Sequence, residues 1–410
     1  MKNSNSPELH LFIIWSNARN KEKEIIFDIS NNFLILQTFS ITWSPYLIEK
    51  NFSRFYDHKL PVNSEKERHA GSKEFKLVVV RDNCPKYDFR KTSKGSVFVN
   101  TNMFDSKLRY RDLTGGGHKV HCTNDNAEFK HDIVMLLGLS EKDFLVKYEK
   151  NENNNIVLNK NIIGTNGWKS LDELFYVLNE CDEYLILRNS NNISLDYYQN
   201  NSGDVDLLVK DINRFKYILG DLSFLHSKTN SSSHSKVSIN NKVVLFELYE
   251  SGRNLFEKKF EDYLFQNKIL KNNFYCLNEK LEFYTLIYHA LLLNRNLSKK
   301  HQDRITIQAK GISEFKNIKI DNENLLLILI NFFREIDCVF IPPNDHNVFF
   351  NNKLLYDSDL LKNNKNRYSK FRSNIEKVVK INIQKYSLTI ILIPKLNNEI
   401  DFTVGFRVKF

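Results

Sequence analysis

The chain predicts an α+β protein made of more than one domain. Three observations carry this. From about Leu9 to Tyr148, short apolar or alternating runs take turns with stretches of helical periodicity. A wholly polar break follows, Asn151-Glu152-Asn153-Asn154-Asn155, and reads as a linker. A second series of strands and helices begins after it, and the tail from Lys377 to Phe410 alternates in the manner of strands. With 410 residues, two or three domains can each bury an ordinary core. The expected division is residues 1–150, a linker over 151–164, residues 165–310, and a C-terminal helical and β extension over 311–410.

In the first domain, Leu11 to Trp15 reads as a buried strand and Asn20 to Asn31 as a helix with Ile25, Ile26 and Ile29 on its apolar side. Phe33 to Trp43 alternates as a strand, Tyr46 to Phe55 looks helical, and Phe75 to Val80 is a buried strand. A further helix runs from about Asn126 to Leu137, with Phe129, Ile133, Leu136 and Leu137 facing inward. This order predicts a split-βαβ, ferredoxin-like sheet. In the second domain, helices are expected at Ser170 to Asn179 and Ile212 to Leu219, and strands at Glu183 to Arg188 and Asp204 to Val209. Thr229 to Ser235 reads as a low-complexity loop. Val237 to Ile239 and Lys242 to Leu248 form a hairpin across Asn240-Asn241. Helices follow at Leu255 to Phe265, Lys280 to Leu293 and Glu323 to Glu335.

Composition narrows the function. Hydrophobic residues make up 41% of the chain, without an apolar run of eighteen residues, so no transmembrane helix is expected. Met1 to Glu8 is polar and lacks a signal-peptide core, which points to the cytoplasm. The net charge of +10 favours acidic partners such as nucleotides. Lysine is spread without a dense block, so nothing marks a nucleic-acid face. Five cysteines stand far apart and form no CxxC, which argues against a disulfide framework and a zinc site.

The most informative stretch is Ser202-Gly203-Asp204-Val205-Asp206-Leu207-Leu208-Val209. On a strand, positions two apart share a face, so Asp204 and Asp206 converge while Val205 and Leu207 turn into the core. Paired like charges persist most easily around a cation, and oxygen donors on a rigid strand suit Mg²⁺. With Glu247 on the later strand Leu245-Phe246-Glu247-Leu248, the order resembles the nucleotidyltransferase fold of the DNA polymerase β superfamily, over roughly residues 165 to 310. The resemblance implies that Asp204, Asp206 and Glu247 hold metal for phosphoryl or nucleotidyl transfer. The family places Gly-Ser at the end of its first strand; this chain has Arg188-Asn189-Ser190, and Arg188 is expected to grip the donor phosphate, with Asn189 and Ser190 beside it. A similar replacement characterises nucleotidyltransferase-like proteins of bacterial surface-polysaccharide loci. The function so implied is transfer of a nucleotidyl, phospho-sugar or phospho-alditol group from a nucleotide-activated donor to a small-molecule or glycan acceptor. A toxin-like or regulatory enzyme acting on RNA or protein, and a non-catalytic nucleotide-binding scaffold, are the alternatives.

The second unusual stretch is Thr114-Gly115-Gly116-Gly117-His118-Lys119-Val120-His121-Cys122-Thr123. With Arg109 and Arg111 it forms either an anion site or a solvated glycine-rich loop. His118 and His121 lack a third metal ligand at fixed spacing. Gly116 to Thr123, in the strand order above, resembles the Gly-Arg-Asn-x-x-His-Gly-Ser motif of nucleoside diphosphate kinases, over roughly residues 9 to 148. The resemblance puts His121 at the phosphohistidine, Thr123 at the serine, Asp132 at the acid that orients the histidine, Tyr56 at the base-stacking aromatic, and Arg109 and Arg111 at the phosphate. It implies an assembly of like subunits. The family's first strand ends in Lys-Pro-Asp; Ile14-Trp15-Ser16 stands here. The domain is therefore read as an active kinase, a binder of nucleotide or phospho-sugar without the kinase reaction, or a structural module. Tyr284, Tyr288 and His289, on the helix Lys280 to Leu293, read as an aromatic core face or a cover for a base.

Overall fold

A computed structural model describes residues 6–60, 63–92, 95–149, 154–194, 204–221, 234–253, 255–343, 349–357, 378–383, 386–394 and 400–407. It is a mixed α and β protein with several sheets. Two compact units divide it, residues 1–282 and 283–410, and the boundary falls within the helix Glu279–Leu292.

Unit 1 holds, among the described residues, two large sheets and a two-stranded one. The first is built from β1 (Glu8–Ile14), β2 (Leu34–Thr42), β3 (Phe75–Asp82), β6 (Val120–Cys122) and β7 (Ile156–Asn159), in the order β6-β1-β3-β2-β7. Strands β1 and β2 both run antiparallel to β3, which lies between them. They are therefore parallel to each other, joined through helix α1 (Glu22–Asn32). In β1, Leu11 and Ile13 enter one apolar core while Phe12 and Ile14 enter another on the opposite face. A strand covered on both faces needs a continuous apolar run, which is what Leu11 to Trp15 supplies. Strands β4 (Tyr87–Thr92) and β5 (Gly95–Asn100) make a separate hairpin. The stretch expected as a linker contributes β7, paired in parallel with β2.

Helices α2 (Ile48–Phe55), α3 (Glu65–Ala70), α4 (Thr101–Leu113), α5 (Asn126–Leu137) and α6 (Glu141–Tyr148) surround this sheet. Asp125 caps α5 by accepting the Glu128 N–H, and Gly138 ends it in a left-handed turn. These two signals fix the helix that carries Glu128, His131 and Asp132.

The second sheet has the order β10-β11-β9-β8-β13-β12. Its strands are β8 (Tyr184–Ile186), β9 (Asp204–Val209), β10 (His234–Ile239), β11 (Lys242–Glu250), β12 (Ile269–Lys271) and β13 (Phe274–Cys276). Helices α7 (Leu171–Cys181), α8 (Ile212–Leu219) and α9 (Lys258–Gln266) accompany it. Helices α5 and α7 pack together, and one apolar core includes Phe129 and Ile133 from the first sheet's helix and Leu178, Val205 and Phe246 around the second. Arg54 joins the same two parts by polar means. Its guanidinium is fully buried and donates to the carbonyls of Tyr217 (3.0 Å) and Ile218 (2.8 Å) and to Thr165 Oγ1 (2.9 Å). Burial lowers its pKa to about 10. The positive charge at the carboxyl end of α8 complements the helix dipole.

Unit 2 contains the rest of α10 (Glu279–Leu292), α11 (Lys299–Gly311), α12 (Asn322–Glu335), α13 (Asn352–Asp357) and an antiparallel sheet of β14 (Val378–Ile383), β15 (Tyr386–Pro394) and β16 (Ile400–Arg407). Tyr284 stacks on Phe332 with ring centres 3.8 Å apart, and Tyr288 stacks on Phe333. Both tyrosines are buried; they are core residues, so the base-covering alternative falls away. Among the described residues no helix is long and apolar enough to cross a membrane. The five cysteines are free thiols.

Candidate functional site

The second sheet assembles a group of acids on three adjacent strands. Strand β9 runs parallel to β11, with Glu247 opposite Asp206 and Leu245 opposite Asp204. On the other side of β11, antiparallel β10 sets His234 opposite Glu247. Directly opposed residues face the same way, so three adjacent strands send Asp206, Glu247 and His234 to one face, with Asp204 two residues before Asp206. Ligand atoms of Asp204, His234 and Glu247 all lie within 4.8 Å of one another. Asp206 and Glu247 share a hydrogen bond, and Tyr249, two residues on, hydrogen-bonds Glu247.

Charge is poorly balanced there. Burial raises the pKa of Asp206, against the pull of Arg188, and neighbouring Asp204 raises it further. Burial also raises Glu247; Tyr249 opposes this, and Asp206 and Asp204 add to it. Arg188 Nη2 reaches Asp206 Oδ1 at 2.5 Å and Tyr249 Oη at 3.3 Å. Arg188 thus pairs with one of the acids it was expected to accompany. Asn189 and Ser190 are engaged by Glu282, whose Oε1 accepts the Asn189 N–H at 2.7 Å and whose Oε2 accepts the Ser190 hydroxyl at 2.8 Å. Asn189 turns here in a left-handed conformation, φ 60°. Gly203, ahead of the acid pair, lies outside the described residues, as do Asp345 and His346.

His234, Tyr249 and Glu282 were missed from the sequence, though two left a trace. The hairpin turn Asn240-Asn241 pairs Ile239 with Lys242. Counting outward from it sets position 234 across from 247. Tyr249 follows from the strand period, two residues beyond Glu247. Glu282 had no local signal, since it stands 93 residues from Asn189 in sequence.

The first sheet assembles a different site. His121 sits on the edge strand β6 and points toward α5 and the end of α2. Its Nε2 lies 2.8 Å from Asp132 Oδ2. Phe55 and Tyr56 flank the imidazole, ring centres 5.3 and 5.9 Å away. Asp132 Oδ1 meets His131 Nδ1 at 2.9 Å, His131 Nε2 meets Asp57 at 3.3 Å, and Arg214 Nε of α8 donates to Asp57 at 2.9 Å. Burial works against a charged His131, but Asp57 and the hydrogen bonds with Asp132 and Asp57 overcome it and raise its pKa to about 10. Asp132 is lowered, because hydrogen bonds from His121 and His131 outweigh its burial. Burial raises Glu128, which closes a possible ligand group with His121 and Asp132.

Arg111 donates from Nε to the Val120 carbonyl at 2.8 Å and lies close enough to Tyr56 to influence it electrostatically. The two other expected phosphate contacts go elsewhere. Arg109 bonds Asp28 Oδ2 on α1 and Ser106 Oγ, both at 3.1 Å. Helical spacing explains this, because positions 109 and 111 lie on different faces of α4. Thr123 is fully buried, and its hydroxyl accepts the Leu11 N–H at 3.2 Å and meets His10 Nδ1 at 3.1 Å. It ties β6 to β1 instead of reaching His121.

No known protein family matches the sequence, and no curated protein does. Among solved structures, a nucleoside diphosphate kinase from Aquifex aeolicus is similar over 34% of this chain and 99% of its own, at 14% identity and a TM-score of 0.23. That likeness is weak and partial.

Proposed function

We propose that the chain is a Mg²⁺-dependent transferase of phosphorus-containing groups, with Asp204, Asp206 and Glu247 at its centre. The group moved is a nucleotidyl, phospho-sugar or phospho-alditol unit, the donor is nucleotide-activated, and the acceptor is a hydroxyl of a small molecule or glycan. Surface-polysaccharide assembly is the setting, by analogy with nucleotidyltransferase-like proteins alone. The observation that carries the reading is the register of three neighbouring strands, which gathers Asp204, Asp206, Glu247 and His234 on one face. The donor set fits a hard divalent cation: its carboxylate oxygens suit Mg²⁺, and burial, with like charges beside them, raises the pKa values of Asp206 and Glu247. When bound, such an ion neutralises donor phosphates and lowers the pKa of the attacking hydroxyl. Arg188 exchanges Asp206 for a donor phosphate oxygen. Glu282 holds the Asn189-Ser190 turn in place beneath it. The acceptor oxygen bonds to the donor phosphorus as the bond to the leaving phosphate breaks, so positioning and charge neutralisation are most of the work.

The test is transfer from a panel of nucleoside triphosphates and nucleotide-activated donors with and without Mg²⁺. Asp204→Asn, Asp206→Asn and Glu247→Gln each reduce turnover at least about 100-fold. Normal turnover in any of the three sinks the reading.

One observation favours a second activity. Asp132 at Nε2 of His121 holds a proton on that nitrogen and leaves the Nδ1 lone pair as a nucleophile. A nucleoside triphosphate would give its γ-phosphoryl group to Nδ1, forming N–P and releasing the diphosphate. Acid-labile, alkali-stable label from γ-labelled ATP that disappears in His121→Gln supports it; its absence in the wild type removes it.

A further inference from the structure

The glycine-rich loop has a second histidine that neither site uses. His118 follows three successive glycines of positive φ, Gly115 (80°), Gly116 (83°) and Gly117 (78°). They fold the loop back onto α3. The approach is close: a Cβ on Gly117 would stand 2.8 Å from His69 Nδ1, so only glycine permits it. Along α3, Glu65 and His69 are four residues apart and share a face.

From these residues we infer a binding site for a transition-metal dication of the Zn²⁺ class, formed by Glu65, His69 and His118. One ligand atom from each lies within 4.8 Å of the others. His69 Nδ1 stands 4.0 Å from Glu65 Oε1 and accepts the His118 N–H at 3.3 Å. An accepting Nδ1 carries the lone pair, and the ring proton is then on Nε2. The nitrogen that faces the other two ligands is therefore already in the form a metal needs. The long hydrogen bond it makes is weak and is cheaply exchanged for a metal bond. Tetrahedral Zn²⁺ with bonds of about 2.1 Å keeps its ligand atoms roughly 3.4 Å apart, so the group must contract by about an ångström. Glu65 is exposed, and His69 and His118 are partly exposed, which leaves them room to rotate.

Two imidazoles and one carboxylate select a borderline ion over Mg²⁺ or Ca²⁺. Three protein ligands leave a position for water. The nearby cations are engaged elsewhere: Lys66 Nζ lies 3.7 Å from the centre of the Tyr56 ring, and Arg111 donates to the Val120 carbonyl. A bound ion would fasten α3 to the loop three residues before His121. The sequence spacing of 118 and 121 hid this site, because the missing ligands come from a helix about fifty residues earlier.

The test is Co²⁺ titration of the full chain by visible absorption, with Zn²⁺ competition. The wild type develops the intense bands of a low-coordinate nitrogen and oxygen site, and Zn²⁺ abolishes them. His69→Gln and His118→Gln each weaken this Co²⁺ binding at least about ten-fold. Glu65→Gln, an exposed change on the first turn of a helix, weakens it with the fold intact by circular dichroism. His121→Gln and His234→Gln, which alter the other two clusters, leave it unchanged. The site is overturned if no such bands develop, if they survive in His69→Gln and His118→Gln, or if they vanish only in His121→Gln or His234→Gln.

Discussion

The site around His121 and the site around Asp204 are built from the same residue types and differ in how their charge is closed. Around His121, acids and bases alternate: His121, Asp132, His131, Asp57, Arg214. Asp132 and Asp57 each have a basic partner on both sides, Glu128 at the edge of the group is raised by burial, and the chain of contacts runs from an edge strand of the first sheet to a helix of the second. Around Asp204, Asp206 and Glu247 share Arg188, and Asp204 adds like charge to both. The first arrangement satisfies itself and stabilises the fold. The second leaves acids with raised pKa values, which a protein tolerates where a cation or phosphate-bearing ligand uses them.

The largest effect that can break this comparison is on stability. Asp132→Asn removes the ionised acceptor of two imidazoles in a buried network and costs about 3–5 kcal/mol, a fall in Tm on the order of 10 °C. Calorimetry checks it, and a fall no larger than that of a surface substitution would show that the network is ornamental. Glu247→Gln has the opposite sign. Without added metal it relieves like-charge repulsion and raises Tm by a few degrees, about 1 kcal/mol, although activity is lost.

The pH dependence separates the sites further. His131 has its folded pKa raised from 6.5 to about 10. Its protonated form therefore contributes stability that is complete below about pH 6.5 and is lost as pH rises through 10. The Tm difference between wild type and His131→Asn follows that course. Glu247 is also raised, but an acid with a raised pKa costs stability once ionised. The advantage of Glu247→Gln over wild type therefore shrinks as pH falls from 7 toward its ordinary value of 4.5, and saturating Mg²⁺ reverses it. The smallest effect concerns His234. Its imidazole adds a softer donor to an oxygen site, so His234→Ala weakens Mn²⁺ binding about ten-fold and Mg²⁺ binding less, measured by competitive calorimetry.

Much of the second site was legible because strands carry their geometry in their period. Asp204 and Asp206 share a face by spacing alone, and the Asn240-Asn241 turn sets the hairpin register, although reading Thr229 to Ser235 as a loop hid His234, which begins strand β10. The helix Asn126–Leu137 could be read with its bounds, since Asp125 and Gly138 mark its ends and its apolar positions repeat. The hairpin Tyr87–Asn100 and the helix Thr101–Leu113 escaped notice. Phe89 and Phe98 of that hairpin are exposed, so its pattern is not that of a half-buried sheet, and the helix has an apolar side too weak to register.

By itself, the sequence determined the α+β class, the strand that carries the acid pair, and the helix that carries Asp132, because each rests on periodicity and end signals within a few residues. Tertiary structure decided which charges meet. It sent Arg109 to Asp28, gave Arg188 to Asp206, placed Glu282 under the Asn189 turn, and brought Glu65 and His69 to His118. Those pairings join residues 18 to 93 positions apart, and their energies depend on burial and on the whole set of neighbouring charges, neither of which has a local period to read.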